Sequence, residues 1–82
     1  MRSVTVRLFA RARDLAGTDT LTILLPVGAT VRDLRLRLAE ERPALRALLG
    51  RSAFAVNQEF ADDALPLPER AEVALLPPVS GG

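Results

Sequence analysis

Eighty-two residues, 49% apolar and 26% charged, suffice for one small folded domain and leave little room for a second. Eleven arginines, with no lysine, almost cancel ten acids to a net charge of +1, and no aromatic platform alternates with them, which argues against a nucleic-acid-binding chain. The absence of cysteine and histidine excludes disulfides and thiolate or imidazole nucleophiles, and all but excludes a structural zinc site.

The first segment, MRSVTVRL, alternates polar and apolar residues, unlike a signal peptide. Val4, Val6, Leu8 and Ala10 share one face and Ser3, Thr5, Arg7 and Phe9 the other, which predicts a half-buried strand with an aromatic on its polar side. Arg11 to Ala16, closed by Gly17, reads as a single helical turn or a loop. Thr20 to Leu25 is a second amphipathic strand, broken by Pro26-Val27-Gly28, and a hairpin with the first is the simplest pairing. Leu21 to Val27, the longest apolar-rich stretch, is far too short to span a bilayer. The second residue is Arg2 rather than glycine and no C-terminal cysteine is present, so neither end takes a lipid and a soluble cytoplasmic protein is expected.

Thr30 suits a helix N-cap with Asp33 completing a capping box, and Val31, Leu34 and Leu38 follow as an inward stripe. Asp33 and Arg37 are spaced for an exposed pair, Leu36 lies off the stripe, and Pro43 ends the helix by Arg42. Pro43 to Leu49 is a short second helix closed by Gly50. Ala53 to Val56 is a strand, Asn57-Gln58-Glu59 a turn before Phe60-Ala61, Asp62 to Arg70 a loop, and Glu72 to Leu76 the last strand. The order implies an α+β fold of the β-grasp, ubiquitin-like kind, a mixed sheet of four to five strands with one main helix across a face. The domain is expected to span residues 1–76, with 77–82 a flexible C-terminal tail.

That tail reads PPVSGG. Pro77 and Pro78 cannot continue a sheet ladder and direct the chain away in extended form. Val79, Ser80, Gly81 and Gly82 beyond them reach about 13 Å, and a side-chain-free end suits a narrow pocket where a Cβ would clash. A frayed polar terminus is the plainer reading. The carboxylate of Gly82 is ionised at neutral pH and a poor electrophile, so acyl chemistry there needs activation. The chain has no phosphate-cradling GxxxxGK[ST] loop, histidine base or cysteine nucleophile, so an ATP-using partner must supply it.

The segments LFARARDLAG, AVNQEF and EVALLPPVSGG together resemble the MoaD/ThiS family of ubiquitin-like sulfur carriers over essentially the whole chain. The match is closest to the MoaD branch, the small subunits of molybdopterin synthase, with PPVSGG its most specific part. The resemblance implies that a zinc-containing, E1-like enzyme adenylates Gly82 with ATP and that sulfur from a persulfide leaves a thiocarboxylate there. It further implies that the tail, Pro77 to Gly82, enters the active site of a large synthase subunit, two carriers per large-subunit dimer. There it gives sulfur to cyclic pyranopterin monophosphate in molybdenum cofactor biosynthesis. The carrier itself would bind no cofactor or metal and supply no catalytic side chain. One departure is Pro68 to Ala71, which replaces the acidic, glycine-containing turn common before the family's last strand.

A carrier must dock on two partners. Phe9 by its alternation with Leu8, Leu76 opposite Val73 and Leu75, and Phe60 on a short edge segment match the family's hydrophobic docking patch; Arg7 and Arg11 could frame it with charge, though a solvated side chain is the plainer reading of each. Three alternatives remain at this stage. They are a carrier for thiamine or cysteine synthesis, a protein modifier joined to lysines through Gly82, and a ubiquitin-fold interaction module with an inert tail.

Overall fold

In the computed structural model, which describes residues 1–78, the opening alternation becomes β1 (Arg2–Leu8), with Val4, Val6 and Leu8 buried and Ser3, Thr5 and Arg7 exposed. β2 (Thr20–Leu25) pairs with it antiparallel, Val4 opposite Ile23 and Val6 opposite Leu21, so both strands send their branched side chains to one face. Between them lies α1 (Ala10–Ala16), seven residues long, where a single turn or a loop is expected from the sequence. It starts one residue earlier, at Ala10, whose φ of 51° is left-handed and turns the chain sharply out of β1. It is anchored by the buried Ala12 and ends at Gly17, also left-handed, whose N–H donates to the Arg13 carbonyl.

α2 (Val31–Glu41) lies against the buried face and fills it with Val31, Leu34 and Leu38, none of them exposed. Its start is the predicted capping box: the Asp33 N–H donates to Thr30 Oγ1 at 3.3 Å and the Thr30 N–H to Asp33 Oδ2 at 2.9 Å. Asp33 is therefore committed to the cap rather than to Arg37, and the ion pair found among the described residues is Arg35 with Asp63, at 2.8 Å. Thr30→Ala removes one arm of the box and is expected to cost about 1 kcal/mol, seen as a lower urea midpoint at unchanged slope.

A 3₁₀ turn over Pro43–Leu45 leads into α3 (Arg46–Leu49), and together they add Leu45, Leu48 and Leu49 to the core. Gly50 follows with φ −64°, so this helix closes without the left-handed conformation that glycine usually supplies. β3 (Ala53–Val56) and β4 (Glu59–Ala61) form a hairpin whose connection is two residues, Asn57 and Gln58, with Glu59 already in the strand. Both turn residues have positive φ, 52° and 71°, which matches the twist of a primed hairpin turn. Asparagine tolerates that region and glutamine does not. Gln58→Gly should relieve ~1–2 kcal/mol of left-handed strain against ~0.5–1 kcal/mol of added unfolded-chain entropy. A net gain of about 0.5–1 kcal/mol in chemical denaturation is the expected result.

β5 (Val73–Leu76) lies between β1, to which it is parallel, and β3, to which it is antiparallel. The five-stranded order β2-β1-β5-β3-β4, with the helices packed on one side, is the β-grasp arrangement. The segment between β4 and β5 is irregular but held. Its Asp63 and Leu65 carbonyls accept from the Arg32 and Val31 N–H groups at the start of α2, and Leu67 is buried. Arg2 donates to the Leu67 and Pro68 carbonyls, both at 2.6 Å, fixing the approach to β5 where the Pro68–Ala71 departure stands. Arg35 binds the Leu49 and Ser52 carbonyls and Asp63 and stacks 5.0 Å from the Phe54 ring centre, joining α2, α3, β3 and the loop. Among the described residues no helix is long and apolar enough to cross a membrane.

Candidate functional site

The helices cover one face of the sheet; the other is open, and its composition changes from edge to edge. Over β2 and β1 it presents Thr20, Thr22, Ser3, Thr5 and Arg7, polar apart from Leu24. Over β5, β3 and β4 it turns apolar. Register places Arg7 beside Ala74, Ala74 beside Ala55 and Ala55 beside Phe60 in one row across four strands, and Ala53 beside Leu76 in the next. Three alanines give the centre a low floor, and the aromatic rings stand above it.

Phe9, directly after β1 and extended as the cap residue of α1, is 39% exposed, and Phe60 on the edge strand is 80% exposed. These exposures decide the point: neither ring is claimed by the core. With the half-buried Leu76 they line one groove of about 490 Å³ whose remaining walls are Ala10, Arg51, Ala53, Pro77 and Pro78. The structure thus brings together Phe9, Phe60, Leu76 and the first two tail residues. Val79, Ser80, Gly81 and Gly82 lie outside the described residues. Arg7 is exposed and outside the groove lining, but its guanidinium lies 5.7 Å from the Phe9 ring centre. Arg11 is exposed on α1 and is not among the groove residues.

Sequence reasoning missed the floor. Ala53 and Ala55 alternate with the buried Phe54 and Val56, so small residues on the free face were a usable signal. Ala10 gave none, since its left-handed turn depends on the chain leaving β1 for α1. Chemically the groove has apolar surface, backbone and one charged side chain, Arg51, with no acid–base pair. Such a face suits contact with an apolar surface of a partner. It also takes in the end of β5 and the last described residues, because Leu76, Pro77 and Pro78 are part of its wall.

Comparison with known proteins agrees with this fold. The ThiS family model matches residues 6–82. The chain is 37% identical over 79 residues to the molybdopterin synthase sulfur carrier subunit of Arabidopsis thaliana, covering 96% of this chain and 82% of that protein. In structure it is similar to SAMP1, a small archaeal modifier protein of Haloferax volcanii, with a TM-score of 0.86 and 31% identity over 99% of this chain and 100% of the other. It is also similar to a chain in the complex of subunits 1 and 2 of the molybdopterin-converting factor from Helicobacter pylori, with a TM-score of 0.70 and 29% identity over 99% and 100%.

Proposed function

Since the chain belongs to the ThiS family, we propose that it is a sulfur carrier, the small subunit of a molybdopterin synthase. The observation that carries this reading is the position of the tail root inside the exposed apolar groove. A partner bound to Phe9, Phe60 and Leu76 receives the tail in a set direction. The relatives named as molybdopterin synthase sulfur carrier subunits support the pathway, and the Helicobacter complex supports a large-subunit partner.

In this reading residues 77–82 are the carrier arm and Gly82 is its reacting end. A carboxylate oxygen of Gly82 attacks the α-phosphorus of ATP on an E1-like enzyme, releasing pyrophosphate and making the carbonyl an electrophile. The terminal sulfur of a persulfide attacks that carbonyl and AMP leaves. A thiol then cleaves the acyl disulfide, leaving the thiocarboxylate on Gly82 and a disulfide on the thiol side. The loaded tail enters the large subunit, where two carriers per large-subunit dimer deliver sulfur to cyclic pyranopterin monophosphate. Acid–base work falls to the partners, because this chain has neither histidine nor cysteine. These ATP-dependent, thiol-based steps suit the cytoplasm.

Intact mass spectrometry after incubation with an E1-like enzyme, ATP and a sulfur donor tests the reading. A gain equal to the exchange of one oxygen for one sulfur, lost on deletion of Gly82, is expected. No gain from an enzyme shown to load another carrier would overturn it.

The likeness to SAMP1 favours a second reading, conjugation of Gly82 to amines on other proteins. Having no lysine, this chain cannot build side-chain-linked polymers of itself, so a modifier role means single attachment. Amide-linked conjugates in place of the sulfur gain would select it.

A further inference from the structure

We infer that the β2 edge of the sheet is a self-pairing site, through which two copies of this chain join antiparallel into one continuous sheet. Among the described residues β2 is a sheet edge, bonded only to β1. Its register and the Leu8 N–H to Asp19 carbonyl bond at 2.8 Å show which of its backbone groups are occupied. Antiparallel partners alternate between exchanging hydrogen bonds and not, so Asp19, Leu21, Ile23 and Leu25 bond to β1. Thr20, Thr22 and Leu24 point their N–H and C=O groups outward. Thr20 is already capped: its N–H donates to Thr18 Oγ1 at 3.4 Å and its carbonyl accepts from the same hydroxyl at 3.1 Å. Open groups therefore remain on Thr22 and Leu24, which have no backbone partner outside β1 among the described residues.

Those two residues flank Ile23, and this spacing selects the occupant. With Ile23 facing Ile23 of a second copy, Thr22 of each chain stands opposite Leu24 of the other. The two exchange both hydrogen bonds, so all open groups of both copies are satisfied at once. Centring the pair on Thr22 instead would set Leu24 against the capped Thr20. A shift by one residue would turn the buried side chains outward. Residues 20–25 carry no charge, proline or glycine, so no like charges meet and none of the usual edge-blunting devices interferes. Pairing also covers Leu24, which is 55% exposed.

A six-residue edge is only about 20 Å long and buries less than the ~1,200 Å² of a stable specific interface. The dimer is therefore weak, with dissociation in the high micromolar range. β2 is at the opposite edge from β4, so pairing leaves Phe60 and the groove of each copy free. The inference does not depend on the carrier reading.

Sedimentation equilibrium of the full chain, taken to millimolar concentration, is the test. The weight-average mass should rise from 8.8 kDa toward twice that value. Thr22→Pro removes an outward N–H while sparing every bond to β1, and Leu24→Lys adds a charge at an exposed site; each should abolish the rise with an unchanged far-UV spectrum. A chain that stays monomeric throughout, or variants that associate as well as wild type, would overturn the proposal. Because the chain has no cysteine, the register can be read separately. Under mild oxidation the Thr22→Cys/Leu24→Cys double variant should cross-link between copies in preference to Thr20→Cys/Leu24→Cys. The reverse preference would reject the register centred on Ile23.

Discussion

Under the proposed carrier reading, replacing Phe60 by aspartate is expected to weaken binding to a large synthase subunit and to an activating enzyme by about 100-fold, roughly 2–3 kcal/mol, with folding unchanged. Phe60 is 80% exposed, so its loss from the free domain removes almost no packing, and surface changes of this kind stay within about 0.5 kcal/mol. In the proposed complex a partner covers this ring at the groove rim, and a carboxylate in its place would have to be desolvated beside the groove's alanines and prolines. Calorimetric titration measures the affinity, and a thermal melt confirms the fold. Unchanged affinity in both titrations would mean that the partners use another face.

Phe54→Ala is the opposite case. It should lower stability by about 4 kcal/mol and the melting temperature by roughly 20 °C. Phe54 is the one phenylalanine of three that is fully buried. It lies on β3 between Ala61 of β4 and Leu75 of β5 and carries the Arg35 guanidinium on its ring. Truncation opens a cavity that three strands and α2 cannot all close, and it removes the platform under Arg35. A small domain holds only about 5–15 kcal/mol in total, so the variant is expected to be marginal. Far-UV circular dichroism is the suitable readout, because the chain has no tryptophan or tyrosine. A loss below 1 kcal/mol, on the order of a surface change, would show that the core repacks around the gap.

Much of this was legible because two periodicities are clean. Val4, Val6 and Leu8 against Leu21, Ile23 and Leu25 identify the first hairpin, and Thr30 with Asp33 identifies the start of the main helix. Phe9 and Leu76 were readable as apolar residues outside the core because each sits off the buried phase of its segment, and Phe60 because it follows the turn on a short edge segment. What was hidden depends on tertiary neighbours. Nothing local indicates that β5 inserts between β1 and β3, that Arg35 spans four elements, or that Leu67 plugs the loop against the start of α2. The length of α1 was underestimated because its first residue adopts a conformation that alanine rarely takes alone. Asp33 offered two uses, a cap and a pair with Arg37, and the cap prevailed because it satisfies two backbone N–H groups.

The central place of β5 bears on how the protein is made. Translation delivers β1 to β4 first, but β1 and β3 have no common neighbour until Val73 to Leu76 arrives between them. Before then the sheet is two hairpins linked only through the helical layer, and the cooperative fold is expected to wait for β5. A message cut short, or a chain clipped before Val73, yields an open, protease-sensitive polypeptide rather than a folded domain without an arm. A partner that selects for the folded domain is thereby spared binding to such incomplete copies.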